Sequence, residues 1–220
     1  MYPIDREDNR VDPFEEPTAP MDVSEFRGPF IITYPSGKRF HFLNPDAESV
    51  VLEDIANSLG RLCRYTGHIP AHYSVAEHSV HVMRFMMARG YIEGPYARAA
   101  LISALFHDAA EAYTGDVNKP LKVLLAPLLK PIEDRIDDVI RRALKLPDVY
   151  RVTREAIHHA DLVMLATEME TLKPAQGGAI GGAGELSLPA VWADAEIQCW
   201  PADLATQRFL YSARALGVGV

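Results

Sequence analysis

The sequence predicts an all-α protein with one small β-hairpin near its N-terminus, and three observations support this fold class. From residue 45 onward, apolar residues recur at the spacing of an amphipathic helix, as in Leu52, Ile55, Leu59 and Leu62. Helix start signals accompany that spacing, because Ser74 followed by Glu77 is a capping box. A single short stretch, residues 30–43, has the composition of two strands around a turn. The hairpin is therefore expected to be an appendage to packed helices.

The elements follow in order from local signals. Phe30–Tyr34 and Arg39–Leu43 flank the turn Pro35–Lys38, which suits a short hairpin loop. Apolar faces and boundary residues such as Gly94 then predict six helices. They run over about 52–62, 74–89, 94–114, 131–144, 150–172 and 201–216. We expect the third helix to carry the adjacent pair His107 and Asp108.

The 220 residues suit one domain with a sizeable core and one N-terminal extension. Residues 1–28 combine several prolines with many acidic residues, which is typical of an extended or disordered arm. The domain is expected over 29–220, with a hairpin at 29–44, a helical core at 45–172, a Gly-rich loop at 173–190 and a C-terminal helix within 191–220.

Composition narrows the class of protein. A net charge of -8 argues against binding to a nucleic acid polymer, which needs clustered Lys and Arg. The two cysteines, Cys63 and Cys199, are too few for a disulfide framework, and we expect free thiols in a reducing cytoplasm. The acidic N-terminus does not look like a signal peptide, and no apolar run approaches the ~20 residues of a membrane span.

The pair His107-Asp108 is the strongest functional signal in the chain. It stands in an otherwise apolar stretch with Glu111 close behind, and burying such ionisable groups is costly unless something compensates for it. A divalent cation is the simplest compensation, because imidazole and carboxylate are both good ligands for transition metals. His78 and Asp161, on the neighbouring predicted helices, complete a His₂Asp₂ set. His78 could instead be a helix residue bonded to a carbonyl group.

Such a site predicts hydrolysis of a phosphoester. A bound metal lowers the pKa of a water molecule and polarises a phosphate oxygen. The reaction also needs a proton donor or acceptor, for which Glu111 and Asp116 are candidates. It needs positive charge on the phosphate oxygens as well, for which Arg64 and Lys122 are candidates. Asp116 could equally do no more than cap the turn after Gly115.

Several segments in one order resemble the HD-domain phosphohydrolases. They are Tyr73-Ser74-Val75-Ala76-Glu77-His78-Ser79, Phe106-His107-Asp108-Ala109-Ala110-Glu111, Thr114-Gly115-Asp116, Lys119-Pro120-Leu121-Lys122 and Ala160-Asp161. The resemblance covers roughly residues 45–172 and is closest to a small bacterial and phage branch. That branch contains 5'-deoxynucleotidases and phage dATP triphosphohydrolases. The resemblance implies an HD-domain helical bundle.

The resemblance also implies roles for individual residues. The metal ligands are then His78, His107, Asp108 and Asp161. Glu111 is the acidic catalytic residue, and Asp116 lies near the sugar or the leaving oxygen. Arg64 and Lys122 contact phosphate, and Pro120 shapes the pocket wall near the sugar. Apart from the resemblance, the aromatic ring of Tyr65 could stack on a base or fill the core. Some members carry a lysine where this chain has His158, and a neutral imidazole grips a polyphosphate less strongly.

We therefore expect a cytoplasmic metal-dependent hydrolase of deoxynucleotides, with 5'-deoxynucleotidase activity favoured. The first alternative is a dNTP (dATP) triphosphohydrolase that releases triphosphate. An alternative of another class is a non-catalytic nucleotide-binding regulatory module. The expected cofactor is one divalent transition metal (Mn, Co, Fe, Zn or Ni), with a second ion such as Mg if a polyphosphate is bound. The expected partners are a small nucleotide and further copies of the chain in a homo-oligomer, with no membrane.

Overall fold

The computed structural model describes residues 28–90, 94–148, 150–172 and 188–219. Within these ranges the chain is mostly helical, with one two-stranded antiparallel sheet near the N-terminal end. The predicted helical class with a small hairpin is confirmed at this level. The predicted arm and most of the predicted Gly-rich loop lie outside the described residues.

The described part of the chain holds two strands and seven α-helices. They are β1 (Phe30–Ile32), β2 (Arg39–His41), α1 (Leu52–Arg61), α2 (Val75–Arg89), α3 (Ala97–Leu105), α4 (Glu111–Thr114), α5 (Lys119–Ala143), α6 (Tyr150–Leu172) and α7 (Ala202–Ala215). Helix α2 lies at the centre and contacts α1, α3, α6 and α7. Every residue from Val75 to Met83 is buried, so each polar side chain on this stretch needs a partner inside the protein.

The hairpin forms where the sequence predicts it, with shorter strands. Ile31 pairs with Phe40 at the centre of the ladder. The turn is held to α1, because the Ser36 backbone N–H donates to Asp54 Oδ1 at 2.9 Å. Phe40 is fully buried and stacks on Tyr113 of α4 with 3.8 Å between the ring centroids. The hairpin therefore covers one end of the helical core.

The prediction of one continuous helix over 94–114 is wrong in the middle of that range. Helix α3 ends at Leu105, and residues 106–110 form a turn before α4 begins. The backbone bonds there span three residues, with Ala109 N–H donating to the Phe106 carbonyl at 3.1 Å and Glu111 N–H donating to the Asp108 carbonyl at 3.0 Å. Bonds of this kind tighten the chain toward three residues per turn. His107 and Asp108 therefore lie in a tight turn, where their side chains approach each other.

Helix α5 begins twelve residues before the predicted start at Pro131. Asn118 caps it, with its side chain accepting from the Leu121 backbone N–H, and Pro120 lies in the first turn, where a missing N–H costs nothing. Pro127 and Pro131 lie inside the helix. This half of α5 is exposed, with Leu124 and Leu128 78% and 73% accessible, so water can reach the carbonyl groups that the two prolines leave unpaired.

The remaining helices match their predictions closely. Helix α6 spans the predicted 150–172, and α7 begins one residue after Pro201. Helices α1 and α7 touch at Gly60, where an added Cβ would stand 2.3 Å from Thr206 Oγ1. The glycine therefore permits the close approach of the two backbones. Among the described residues we find no helix with the length and apolar character that crossing a membrane requires.

Candidate metal centre

The four side chains predicted as metal ligands meet in one place: His78, His107, Asp108 and Asp161. His78 comes from α2, Asp161 from α6, and the other two from the turn between α3 and α4. His78 Nε2 lies 3.2 Å from Asp161 Oδ1 and 3.7 Å from Asp108 Oδ2. His107 Nε2 lies 3.1 Å from Asp108 Oδ2 and 4.0 Å from Asp161 Oδ1. Atoms that share one cation stand roughly this far apart, since each bond is about 2.1 Å long.

Both imidazoles present a free nitrogen to this cluster. His78 Nδ1 contacts Glu168 Oε1 at 2.5 Å, and His107 Nδ1 contacts the Ala104 carbonyl at 2.8 Å. Both partners are acceptors, so each Nδ1 carries a proton, and Nε2 is the nitrogen that each ring can offer to a metal ion. Both Nε2 atoms are buried and make no hydrogen bond within the described ranges. The donor set therefore fits a metal ion, and His78, His107 and Asp161 could hold one.

The electrostatics of the cluster favour a cation. Burial disfavours the charged form of His107, but the adjacent Asp108 carboxylate outweighs burial and raises the pKa of His107 to about 9. Burial also opposes ionisation of Asp108, but His107 outweighs it and holds the pKa of Asp108 below its usual range. The carboxylates of the cluster thus remain ionised and attract positive charge. A proton on the imidazole neutralises part of this negative charge, and a divalent cation would neutralise more of it.

Glu168 is a buried residue of the site that the sequence analysis missed. Its Oε1 accepts from His78 Nδ1 and from the Tyr73 hydroxyl at 3.0 Å. Its Oε2 accepts from the Tyr65 hydroxyl at 2.6 Å and from Arg64 Nε at 3.1 Å. Burial would raise the pKa of Glu168, but Arg64 and His78 outweigh it and lower the pKa to about 2. The available signal was its place two helical turns after Asp161, on the same face of an otherwise apolar stretch.

The predicted catalytic acids stand beside the cluster. Glu111 begins α4, and burial, with the charges of Asp108 and Asp116 adding to it, raises its pKa well above the ordinary value. Asp116 follows Gly115, and burial is also the main reason why its pKa is raised. Lys122 Nζ lies 3.6 Å from Glu111 Oε1 and 2.8 Å from Glu133 Oε1. Glu133 is a second residue that the sequence analysis missed. The predicted helix began at Pro131, so it did not include Lys122, the partner of Glu133 on α5.

Arg64 opens a turn that we call the arginine loop, residues Arg64–Gly67. The Arg64 guanidinium is mostly buried, and its Nη1 lies 3.9 Å from Asp108 Oδ2. Tyr65 and Thr66 both have left-handed backbone conformations, with φ of 59° and 54°, which non-glycine residues rarely adopt. Asn118 Nδ2 donates to Thr66 Oγ1 at 3.2 Å and ties the loop to the start of α5. The loop therefore holds an arginine beside the candidate metal centre.

Among the other predicted substrate-binding residues, Tyr65 lies inside the site, whereas Pro120 and His158 are exposed. The Tyr65 hydroxyl donates to Glu168, and the Arg64 guanidinium carbon lies 5.5 Å from the centroid of the Tyr65 ring. Pro120 is exposed in the first turn of α5, and His158 is exposed one turn before Asp161 on α6. Their contacts with a nucleotide stay predictions.

Two relatives show where the chain belongs. The uncharacterized protein YfdR of Escherichia coli (strain K12) is 41% identical over 143 residues, which are 65% of this chain and 72% of that protein. The uncharacterized protein RCAP_rcc00048 of Rhodobacter capsulatus is 32% identical over 140 residues, which are 62% of this chain and 70% of that protein. No family model matches the chain. Neither relative's name states an activity.

Proposed function

The chain belongs to the family of the uncharacterized protein YfdR of Escherichia coli, and we propose that it is a metal-dependent phosphohydrolase of deoxynucleotides. One observation carries the proposal. The Nε2 atoms of His78 and His107 are buried and unbonded within the described ranges, and they face the carboxylates of Asp108 and Asp161 at 3.1–4.0 Å. A cation held by His78, His107 and Asp161 would satisfy these groups at once, and Asp108 beside them completes the ligand set that the resemblance implies.

The surrounding side chains supply what phosphoester hydrolysis needs. A divalent cation bound here would lower the pKa of a water molecule and polarise a phosphate oxygen. Arg64 is held with its Nη1 near Asp108, where it can donate to the phosphate oxygens as negative charge develops on them. Lys122 lies between Glu111 and Glu133 and adds a second positive charge. We assign the proton transfer to Glu111, whose pKa is raised by burial and by the nearby charges of Asp108 and Asp116.

The proposed reaction consumes one water molecule. The water oxygen forms a bond to phosphorus while one of its protons passes to a carboxylate of the site. The bond between phosphorus and the 5'-oxygen breaks, and that oxygen takes a proton from Glu111 or Asp116. The products are a deoxynucleoside and inorganic phosphate, and the carboxyl groups return to their starting states after one proton is exchanged with solvent.

We place a monophosphate ahead of a triphosphate as the substrate. His158 is exposed one turn before Asp161 on α6, at a position where a lysine ammonium would hold a polyphosphate more firmly than an imidazole does. The homo-oligomer, the second cation for a polyphosphate and the regulatory-module alternative stay predictions from the sequence.

The test is a release assay with a substrate panel. Protein stripped with a chelator is reloaded with Mn²⁺ or Co²⁺ and incubated with each dNMP and each dNTP. We expect inorganic phosphate from monophosphates. Release of triphosphate from a dNTP would replace the proposal with a triphosphohydrolase, and nucleotide binding without any turnover would favour a regulatory module.

Glu111→Ala tests the proposed proton transfer in the same assay. It should retain the metal and lose roughly 10²–10⁴-fold in turnover, which is the usual contribution of a general acid or base. Glu155→Ala, at an exposed position on α6, serves as the control and should keep full activity. Full activity of Glu111→Ala would show that another group handles the proton.

A further inference from the structure

We propose that Glu168 is a positioning residue that links the candidate metal centre to the arginine loop, so that a divalent cation and a phosphate group bind cooperatively. The inference rests on the proposed function, because it takes a phosphate ester as the ligand of Arg64. It concerns how two parts of one site are coupled, which the ligand set alone does not determine.

The two oxygens of Glu168 serve different parts of the site. Oε1 accepts from His78 and Tyr73, which belong to α2 and the residues just before it. Oε2 accepts from Tyr65 and Arg64, the first two residues of the arginine loop. The carboxylate is fully buried, and its four bonds use the acceptor positions that a carboxylate offers. No other donor is needed to satisfy it.

On the metal side, Glu168 fixes the state of His78. By accepting from Nδ1 it keeps a proton on that nitrogen and leaves Nε2, which points toward Asp108 and Asp161, as the nitrogen that can bind a cation. An amide at residue 168 could place its NH₂ group against Nδ1. His78 would then take the other tautomer, with a proton on Nε2 that opposes a cation.

On the loop side, Glu168 holds a backbone that would otherwise relax. Tyr65 and Thr66 are consecutive left-handed residues, a conformation that persists only where the surroundings enforce it. The Tyr65 hydroxyl bond and the Arg64 Nε bond both end on Oε2 and provide that enforcement. They also fix the Nε edge of the guanidinium, which leaves its Nη groups for a phosphate.

Coupling follows from sharing one carboxylate. His78 would hold Glu168 more firmly through its Nδ1–H bond when its Nε2 is fixed by a cation, and Glu168 would then hold the loop more firmly through Tyr65 and Arg64. A phosphate on Arg64 acts in the reverse direction, and thermodynamic linkage requires the two effects to be equal. Part of any cooperativity would also come from direct contact between cation and phosphate, so the test must separate the two sources.

The experiment titrates chelator-stripped protein with Co²⁺, with and without inorganic phosphate, and follows the visible absorption bands of the bound cobalt. Inorganic phosphate carries no base, so any contact of Tyr65 with a nucleobase plays no part. For the wild type we expect phosphate to tighten Co²⁺ binding by about 10-fold, within the usual range of coupling between sites. Glu168→Gln should weaken Co²⁺ binding by roughly 10–100-fold and reduce the effect of phosphate.

Two nearly isosteric variants distinguish the roles of the two oxygens of Glu168, because each removes a hydrogen bond to one of them. Tyr65→Phe removes one bond to Oε2, and we expect Co²⁺ affinity without phosphate to stay near the wild-type value while the effect of phosphate falls below about 3-fold. Tyr73→Phe removes one bond to Oε1 and should leave the effect of phosphate intact. Circular dichroism confirms that each variant is folded, and the Tyr65 and Tyr73 variants decide the question if Glu168→Gln does not fold.

The outcomes are distinguishable. An unchanged effect of phosphate in Tyr65→Phe overturns the inference, because direct contact between cation and phosphate would then explain all of the coupling. A wild type that binds no Co²⁺ overturns both this inference and the proposed function. A wild type that shows the expected coupling but hydrolyses no deoxynucleotide supports the inference and overturns the proposed function alone.

Discussion

Two fully buried carboxylates, Glu77 and Glu168, differ in what they hold. Glu77 accepts from three consecutive backbone N–H groups, those of Gln198, Cys199 and Trp200, at 2.6–3.1 Å. Glu168 accepts from four side chains of the candidate site. A carboxylate bound to main chain fixes the path of a segment, whereas one bound to side chains fixes their orientation. Burial alone therefore does not tell which carboxylate belongs to a site.

The Glu77 region is an anchor for the C-terminal part of the domain. The backbone of Cys199 has φ of 54°, which turns successive N–H groups toward one point and makes a cradle for an anion. Trp200, the last residue of the cradle, is buried just before α7 begins. Glu77 thus connects the central helix to the segment that leads into α7, while the next residue, His78, faces the candidate metal centre.

The strongest loss of function is expected from a ligand of the candidate metal centre. We expect Asp108→Ala to lose more than about 100-fold in Co²⁺ affinity, because loss of an outer partner of a ligand already costs 10–100-fold. Hydrolysis should fall with it. The measurement is a Co²⁺ titration beside the release assay, with Asp134→Ala, in an exposed pair with Lys130, as the control. Wild-type Co²⁺ affinity in Asp108→Ala would remove this residue from the ligand set.

Loss of Glu77 is expected to affect stability and not metal binding. Glu77→Ala should lower the free energy of unfolding by about 4 kcal/mol, because it leaves the three backbone N–H groups of the cradle unpaired. Urea unfolding measures the loss, and the folded fraction should bind Co²⁺ as the wild type does. Glu53→Ala, which removes a partly exposed pair with Arg214, should cost less than about 1 kcal/mol. Lost Co²⁺ affinity with unchanged stability would instead make Glu77 part of the site.

The smallest effect concerns the start of the helix that both regions share. Ser74 Oγ accepts from the Glu77 backbone N–H at 3.1 Å and caps α2. Ser74→Ala should cost about 1 kcal/mol of unfolding free energy, which thermal melts can resolve, and leave Co²⁺ affinity unchanged. Ser212→Ala on α7, whose hydroxyl bonds the Arg208 carbonyl within its own helix, should stay within about 0.5 kcal/mol of the wild type.

Local features of the fold were predictable from the sequence. The capping residue Ser74 set the start of α2, and apolar spacing set the full extent of α6. The ionisable pair in an apolar stretch identified His107 and Asp108 as unusual. The start of α5 was not predictable, because Pro127 and Pro131 break a helix in most settings and are tolerated here where water reaches the chain.

Most helices, the hairpin and the residue types of a possible metal centre could be predicted from local sequence patterns. Which of those residues meet depends on long-range packing, as does the tight turn that holds His107 and Asp108. The same packing brings Glu168 to the candidate site and Glu77 to the main chain before α7. Glu168 contacts residues 90 to 104 positions earlier in the chain, and no local periodicity records such contacts. A buried carboxylate takes its role from the donors that folding brings to it, and those donors come from other elements.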